Sequence, residues 1–182
     1  MTLPFYTIGH SNRSFEEFAG LLGEAEIELV ADIRKMPMSR ANPQFNKDIL
    51  AQTLTGIGID YEHMAALGGL RGKARGQLTA VNAFWTNRSF HNYADYALST
   101  EFRLGLGRLI EEGRKRRTAM MCSEAVWWRC HRRIVADYLI AAGETVFHIL
   151  GPGHIEPARL TEGAVVQSDG AVLYPAPDMP EA

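Results

Sequence analysis

The sequence predicts a three-layer α/β fold: a mostly parallel β-sheet flanked by helices, with a small C-terminal β-hairpin. Two observations lead to this class. Near the N-terminus, a strand pattern, a helix with a capping signal and a second strand pattern follow one another in under about forty residues, which is typical of a right-handed βαβ unit. Farther along, apolar segments at 118–122 and 145–150 are separated by a helical pattern, as in parallel sheets covered by helices.

The βαβ unit contains the first three predicted elements. Residues 5–9 are β-forming and end in glycine, which predicts the first strand. Ser14 and Glu17 have the Ser-x-x-Glu spacing of a capping box, and they predict the start of a helix. The compact apolar run 27–33 predicts a second, buried strand.

The later elements are separated by proline and glycine. Pro37 and Pro43 exclude regular structure after the second strand. Asn46 can cap a helix that runs to about residue 55, with three residues predicted to face inward: Ile49, Leu50 and Leu54. The other predictions are a strand at 59–63, a Gly- and Arg-rich loop at 67–78, helices at 87–98, 100–112 and 129–142, strands at 118–122 and 145–150, a hairpin at 164–174 and a frayed tail at 175–182. We interpret residues 1–182 as one domain.

Composition excludes several classes of protein. The formal net charge is -2 and the pI is about 6.3, which argues against a surface coated with positive charge for bulk nucleic-acid binding. Two cysteines are too few for a disulfide scaffold. No apolar run reaches the roughly 18 residues of a membrane span, and the N-terminus lacks a signal-peptide pattern. We therefore expect a cytoplasmic protein with no membrane partner.

Polar residues follow three of the predicted strands at the point where each strand ends. His10 and Ser11 follow the first strand, Asp32 and Arg34 end the second, and 122–124 end the strand that begins at Thr118. The carboxyl ends of parallel strands share one edge of a sheet, where such folds bind ligands. The sequence therefore predicts a pocket for an anion, such as a phosphate group, at this edge.

Glu124 and His10 are the predicted catalytic residues. Glu124 suits a general acid or base, because the apolar run 125–128 can desolvate its carboxylate. The alternative is that Glu124 simply pairs with Arg129 or Arg132.

The predicted substrate-binding residues supply donors and charges near the same edge. Arg34 and Arg40 can form a fork for a carboxylate or phosphate, although Asp32 and Arg34 share a face of the strand and can instead pair with each other. A Gly-rich loop carrying Arg71 can act as a lid. The full predicted set is Ser11, Asp32, Arg34, Ser39, Arg40, Arg71, Cys122, Cys130, His131 and Arg132.

The two cysteines leave alternatives open. A Cys-x5-Arg loop, as in phosphatases, needs arginine at 128, but Trp128 stands there and Arg129 follows. Metal binding or redox work by Cys122, Cys130, His131 and His10 is an alternative, although the spacing matches no common zinc motif. We predict no metal and no cofactor.

These motifs together resemble the bacterial and archaeal family called domain of unknown function 488. The resemblance rests on Thr7-Ile8-Gly9-His10-Ser11, Asp32-Ile33-Arg34 with Pro37, Ser39-Arg40 and Phe45, Leu67-Gly68-Gly69-x-Arg71, Cys122-Ser123-Glu124, and Cys130-His131-Arg132. Trp127-Trp128 departs from the family pattern, in which we expect a proline-containing stretch. The resemblance implies a fold and shared polar positions, with no settled activity and a hint of DNA repair.

Three functions remain open at this point. The first is an enzyme that acts on a nucleotide or nucleic acid, using Arg34, Arg40 and Arg132 to bind phosphate. The second is a non-catalytic, DNA-repair-linked accessory protein that binds nucleic acid through the basic cluster 114–117 and the Arg71 loop. The third is a Cys/His metal or redox protein. The sequence indicates no oligomeric state.

Overall fold

A six-stranded sheet forms the centre of the computed structural model, which describes residues 2–69, 71 and 79–177. The strand order is β3-β2-β4-β1-β5-β6, and all neighbours pair in parallel except β5 and β6. The strands are β1 (Phe5–Gly9), β2 (Leu29–Asp32), β3 (Asp60–His63), β4 (Thr118–Cys122), β5 (Val146–Gly151) and β6 (His154–Pro157), with a hairpin of β7 (Val165–Val166) and β8 (Val172–Leu173). The predicted α/β class is confirmed.

Five α-helices cover the sheet: α1 (Phe15–Glu24), α2 (Lys47–Gly56), α3 (Arg88–Tyr96), α4 (Thr100–Lys115) and α5 (Arg132–Ala141). The capping box at the start of α1 is confirmed, because the Ser14 hydroxyl accepts from the backbone of Glu17 and the Glu17 carboxylate accepts from the backbone of Ser14. Asn46 precedes α2, but its side chain makes no cap. Its Oδ1 instead accepts from the backbone N–H of Ser39 at 2.6 Å.

Alternating side chains of the central strands pack into two separate hydrophobic cores, one on each face of the sheet. Phe5 and Met120 pack on the face covered by α4 and α5, whereas Ile8 and Met121 pack on the face covered by α1 and α2. This alternation is the two-residue period of a strand buried on both faces. The predicted three layers are therefore present, and the loops after β1 and β4 lead to helices on opposite faces.

Several predictions need correction in detail. The C-terminal helix begins at Arg132 rather than at 129, because Trp127–Arg129 form a separate 3-10 turn. Ile49 is 44% exposed, whereas Leu50 and Leu54 are buried as predicted. Strand β6 is absent from the sequence predictions.

The predicted hairpin is present as β7 and β8, and Gly170 in its turn has a positive φ of 89°. Residues 1, 70, 72–78 and 178–182 lie outside the described part, so most of the predicted 67–78 loop and the end of the predicted tail do as well. Within the described residues, no helix has the length and apolar character needed to cross a membrane.

Two glycines of α4 provide a matched pair of stability tests. A Cβ at Gly107 meets no atom within 4 Å, whereas a Cβ at Gly113 would lie 2.0 Å from the buried Phe5 ring. Alanine favours a helix interior over glycine by about 0.5–1 kcal/mol. We expect Gly107→Ala to raise the free energy of unfolding by up to that amount, and Gly113→Ala to lower it by about 1–3 kcal/mol through overpacking.

Urea denaturation of both variants and the wild type measures the two effects. Equal stability of the two variants would contradict the packing of α4 against β1.

Candidate functional site

A pocket of about 570 Å³ opens at the carboxyl ends of the parallel strands. The loops after β1 and β4 leave this edge toward opposite faces of the sheet, which is the position where open α/β sheets bind ligands. Its volume lies within the usual range of roughly 300–1,000 Å³ for ligand sites. The lining residues are His10, Arg34, Lys35, Met36, Met38, Ser39, Gly69, Asn87, Ser89, Phe90, Tyr93, Cys122, Ser123, Glu124, Arg129, Cys130 and His131.

The ends of β1 and β4 are held together beyond the strands themselves. The backbone N–H of His10 donates to Cys122 O at 2.9 Å, and that of Ser11 donates to Ser123 O at 3.0 Å. Gly9 makes this pairing sterically possible, since a Cβ there would lie 1.8 Å from Glu124 O. Ser11 adopts a positive φ of 49°, an unusual conformation for a residue with a side chain.

His10 is held as a neutral imidazole. Its Nδ1 donates to Ser11 O at 2.8 Å, so its Nε2 is an acceptor and receives a hydrogen bond from Arg34 Nη1 at 3.3 Å. Burial first, and the Arg34 charge next, lower the pKa of His10. The ring also stacks on Phe45, with centroids 4.4 Å apart.

Arg34 is paired with Asp32 within the protein. Arg34 Nε and Nη2 donate to the two Asp32 oxygens at 2.9 and 2.7 Å, and Nη2 also donates to Phe45 O at 2.7 Å. Although burial opposes its charge, the hydrogen bonds and charge of Asp32 raise the pKa of Arg34. With Nη1 bonded to His10, one of the five guanidinium N–H groups remains for a ligand. The predicted Arg34–Arg40 fork is therefore not formed.

Arg132 lies under the loop that connects β4 to α5. Its side chain is fully buried, and Nη1 donates to Cys122 Sγ at 2.7 Å and to Glu124 O at 2.5 Å. Its other donors reach Thr7 Oγ1 at 3.2 Å and Ala125 O at 3.1 Å. Among the described residues, no carboxylate pairs with this guanidinium.

Cys130 and His131 lie on the same wall. His131 Nε2 donates to Ile33 O at 2.8 Å, which leaves Nδ1 as an acceptor 3.5 Å from Cys130 Sγ. Burial lowers the pKa of His131, so it too is a neutral imidazole. The backbone N–H of Arg132 donates to Cys130 Sγ at 3.4 Å.

Glu124 lines the pocket and is half-buried. Its Oε1 accepts a long hydrogen bond of 3.5 Å from Val126 N. The carboxylate does not pair with Arg129 or Arg132; Arg132 bonds instead to the Glu124 backbone carbonyl. The apolar run 125–128 is not part of the pocket lining, because Trp127 stacks on His148 with a centroid distance of 4.5 Å and Trp128 is 45% exposed.

Five predicted binding residues do not line the pocket: Ser11, Asp32, Arg40, Arg71 and Arg132. Asp32 lies behind Arg34, and Arg40 is exposed outside the cavity. Arg71 bonds to the carbonyls of Gly68 and Ala65 and covers the Tyr96 ring at 4.0 Å. Arg132 lies directly beneath the lining.

The first residues of the Gly-rich loop pack closely on the pocket wall. A Cβ at Gly68 would lie 2.7 Å from Lys35 Cα, and a Cβ at Gly69 would lie 2.9 Å from His131 Nδ1. These glycines therefore permit close approach of two backbone segments. The predicted lid role falls largely on residues outside the described part.

Ten lining residues are missing from the predicted catalytic and binding residues: Lys35, Met36, Met38, Gly69, Asn87, Ser89, Phe90, Tyr93, Ser123 and Arg129. Lys35, Met36 and Met38 come shortly after Arg34, and this adjacency is the sequence signal for them; the structure leaves the two methionines 64% and 70% exposed. The sequence places Arg129 in the predicted helix 129–142, whereas this helix begins at Arg132 in the structure. Nothing in the sequence distinguishes Asn87 and Ser89 from ordinary residues at a helix start.

The structure brings no metal site together from the predicted candidates. Within residues 2–69, 71 and 79–177, no three His, Cys, Asp or Glu side chains are grouped as ligands of one ion. Both nitrogens of His10 and of His131 already have hydrogen-bond partners.

The basic cluster at 114–117 lies at the opposite edge of the sheet, because it precedes β4. Arg114 pairs with Glu144, Arg116 with Asp60 and Glu112, and Arg117 with Glu26. Lys115 pairs with Glu111 and Glu112. This neutralised surface does not favour binding to a nucleic-acid backbone.

The fold and the pocket together define an α/β protein with a ligand-sized cavity at the carboxyl edge of a mostly parallel sheet. The chain belongs to the family described as Domain of unknown function DUF488, which matches residues 14–139 and confirms the resemblance of the motifs. No curated protein and no solved structure matches the chain.

His148 on β5 provides a pH test of the buried charge at Arg132. Thr7 Oγ1 accepts from Arg132 Nε and shares a hydrogen bond of 2.7 Å with His148 Nδ1. Burial and the Arg132 charge lower the pKa of His148 to about 3. An unfolded histidine titrates near about 6.5. Between these values the unfolded chain alone binds the proton, so the free energy of unfolding falls as pH falls.

We expect His148 to contribute about 1.4 kcal/mol per pH unit to that fall between about pH 6 and pH 4.5. His148→Asn keeps an acceptor near Thr7 but cannot titrate, so its stability should fall less steeply with acid. Urea denaturation at several pH values measures the slope, with His154→Asn, at an exposed position, as the control. Identical slopes for wild type and His148→Asn would contradict the neutral imidazole.

Proposed function

We propose that the pocket binds a phosphate-bearing small molecule of nucleotide size and that the protein is an enzyme acting on it. The observation that carries the proposal is the local excess of positive charge in a chain whose net charge is -2. Arg34, Lys35 and Arg129 line the cavity, and Glu124 is the one carboxylate side chain among its described lining residues, although Asp32 behind the wall neutralises the charge of Arg34.

Arg129 is the cation best placed to hold an anion. Its side chain is exposed and lines the pocket, and it has no ion pair with any described residue. Arg34 differs, since Asp32 already neutralises its charge. A phosphate group at Arg129 would gain a charge-assisted hydrogen bond without breaking an existing pair.

The rest of the lining suits a ligand with both polar and apolar parts. Met36, Met38 and Phe90 provide apolar surface, while Ser39 and Ser89 provide hydroxyl groups. Flexible methionine side chains adapt to planar groups such as a nucleobase. A nucleotide combines a phosphate with such a planar group, and this combination supports the substrate class.

Glu124 is the group we assign to proton transfer. It is half-buried in the lining and its carboxylate is not committed to an arginine. His10 is less suited to this role than its position in the sequence indicates, because both of its ring nitrogens are already bonded. Hydrolysis of a phosphate ester or of a glycosidic bond is the reaction class that a single carboxylate beside cationic residues supports.

Substitution of Arg129 tests the binding half of the proposal. We expect inorganic phosphate and nucleoside 5′-monophosphates to bind the wild type, with affinity that falls as salt rises. Arg129→Ala should weaken binding about ten-fold or more, because a hydrogen bond to a charged group is lost. Isothermal titration calorimetry at low ionic strength measures the dissociation constants.

Arg40→Ala is the matched control, since Arg40 is exposed outside the lining and its loss should leave affinity unchanged. Binding that is absent from the wild type, or equal in Arg129→Ala and wild type, would overturn the proposed anion site.

Substitution of Glu124 tests the catalytic half. Release of free base or inorganic phosphate from the same nucleotides is followed by chromatography. We expect Glu124→Gln to reduce kcat about 100-fold or more while the dissociation constant stays the same. Glu16→Gln, at an exposed position on α1, is the control. Unchanged turnover in Glu124→Gln, or no turnover by the wild type, would end the enzymatic assignment and leave the binding result standing.

A further inference from the structure

The buried charge of Arg132 lacks the partner that such charges normally have. A guanidinium removed from water is strongly destabilising unless an anion accompanies it, and arginine does not deprotonate to escape the penalty. Arg34, at a similar depth, has the carboxylate of Asp32. The described partners of Arg132 are a hydroxyl group, two backbone carbonyls and the sulfur of Cys122.

Both cysteine sulfurs contact Arg132. Cys122 Sγ accepts from the guanidinium at 2.7 Å, and Cys130 Sγ accepts from the backbone N–H at 3.4 Å. The two thiol groups also interact with each other, and both residues line the pocket although they are only 2% and 5% exposed. A thiol is therefore the nearest group that can supply the missing negative charge.

We propose that Cys122 and Cys130 form a redox-active dithiol that carries one negative charge opposite Arg132 and closes to a disulfide on reaction with a hydroperoxide. This inference does not rest on the proposed anion binding or on Glu124. It assigns chemistry to a part of the pocket that the proposed function does not use.

We assign the thiolate of the pair to Cys130, whose Sγ accepts from the backbone N–H of Arg132 at 3.4 Å. Burial opposes its ionisation, but the hydrogen bond from Cys122 and the charge of Arg132 outweigh burial and lower the pKa of Cys130. Burial raises the pKa of Cys122, which therefore keeps its proton and shares it between Cys130 Sγ and Glu124 O, 3.8 Å away. The other facing groups, His131 and Tyr93, are neutral, since the pKa of His131 is lowered and that of Tyr93 is raised.

The reaction balances in two steps. The Cys130 thiolate attacks the terminal oxygen of the hydroperoxide, the O–O bond breaks, and the departing alkoxide or hydroxide takes a proton from solvent, which leaves Cys130 as a sulfenic acid. Cys122 then attacks the Cys130 sulfur, the S–S bond forms, and the hydroxyl group leaves as water with the Cys122 proton. The thiol–thiolate pair loses two electrons and the one Cys122 proton, solvent supplies the second proton, and the peroxide is reduced to water and an alcohol, or to two water molecules.

Intact mass spectrometry after treatment with hydrogen peroxide tests the proposal. Because the chain contains only two cysteines, a monomer that loses two hydrogen atoms and regains them with dithiothreitol must contain the Cys122–Cys130 bridge. No mass change, or a bridge only between two chains, would overturn the proposal without affecting the phosphate titrations.

The pH dependence of the rate tests the thiolate. A free cysteine is about 1% ionised or less at pH 6, so its reaction slows roughly 100-fold between about pH 8 and pH 6. We expect the protein rate to change less than about ten-fold over that range. A rate that falls in parallel with free cysteine would refute the charge pairing with Arg132.

Single variants separate the two roles. Cys122→Ser should stop at a sulfenic acid that dimedone traps on Cys130, whereas Cys130→Ser should not react under the same conditions. Circular dichroism checks that each variant is folded, and the wild-type measurements decide the matter if one is not. Equal dimedone labelling of both variants would contradict the assignment of Cys130 as the attacking group.

Discussion

The close approach of Gly9 to the backbone at Glu124 is the constraint on which the pocket depends. Hydrogen bonds from His10 and Ser11 extend the β1–β4 ladder past the end of β4, and a Cβ at position 9 would collide with Glu124 O. The carbonyls of residues 124 and 125 can then point inward, where Arg132 binds both. The polar residues that follow the two strands are thereby fixed against each other rather than carried on independent loops.

Two buried arginines set the electrostatics of this edge in different ways. Arg34 and Asp32 form a pair whose charges cancel, and the pair orients His10 and reaches Tyr61, whose hydroxyl donates to Asp32. Arg132 has no such carboxylate among the described residues and acts over a longer range, since its charge contributes to the low pKa of His148 and to the lowered pKa of Cys130. Neutral imidazoles beside it are a consequence, because a second buried positive charge would be strongly unfavourable.

Local patterns predicted the elements better than they predicted the site. The strands at Phe5–Gly9 and Thr118–Cys122 have the predicted bounds, because short buried runs with clear ends leave little choice of structure. Strand β6 is not predicted from the sequence, because it is short and directly follows Gly153. It also ends at Pro157, and proline is unusual within a strand. Polarity indicated the edge of the sheet where the pocket opens, but it could not show which donors already have partners: Arg34 donates to Asp32, and Arg71 donates to carbonyls of its own loop. The spacing of Asp32 and Arg34 raised their pairing only as an alternative, and the contacts that favour it, such as that of Arg34 with Phe45 O, depend on tertiary distances.

The charge of Arg132 connects the two proposals for the pocket. Oxidation of Cys122 and Cys130 to a disulfide removes the negative charge opposite Arg132, so the same pairing that favours the thiolate disfavours the disulfide and makes the dithiol a stronger oxidant once oxidised. The oxidised protein then has one more uncompensated positive charge beside the cavity that Arg129 lines. An anion bound there would restore part of the balance and would bind the oxidised form more tightly. By linkage, a bound anion must favour the disulfide by the same factor, so ligand and redox state are coupled through one buried guanidinium.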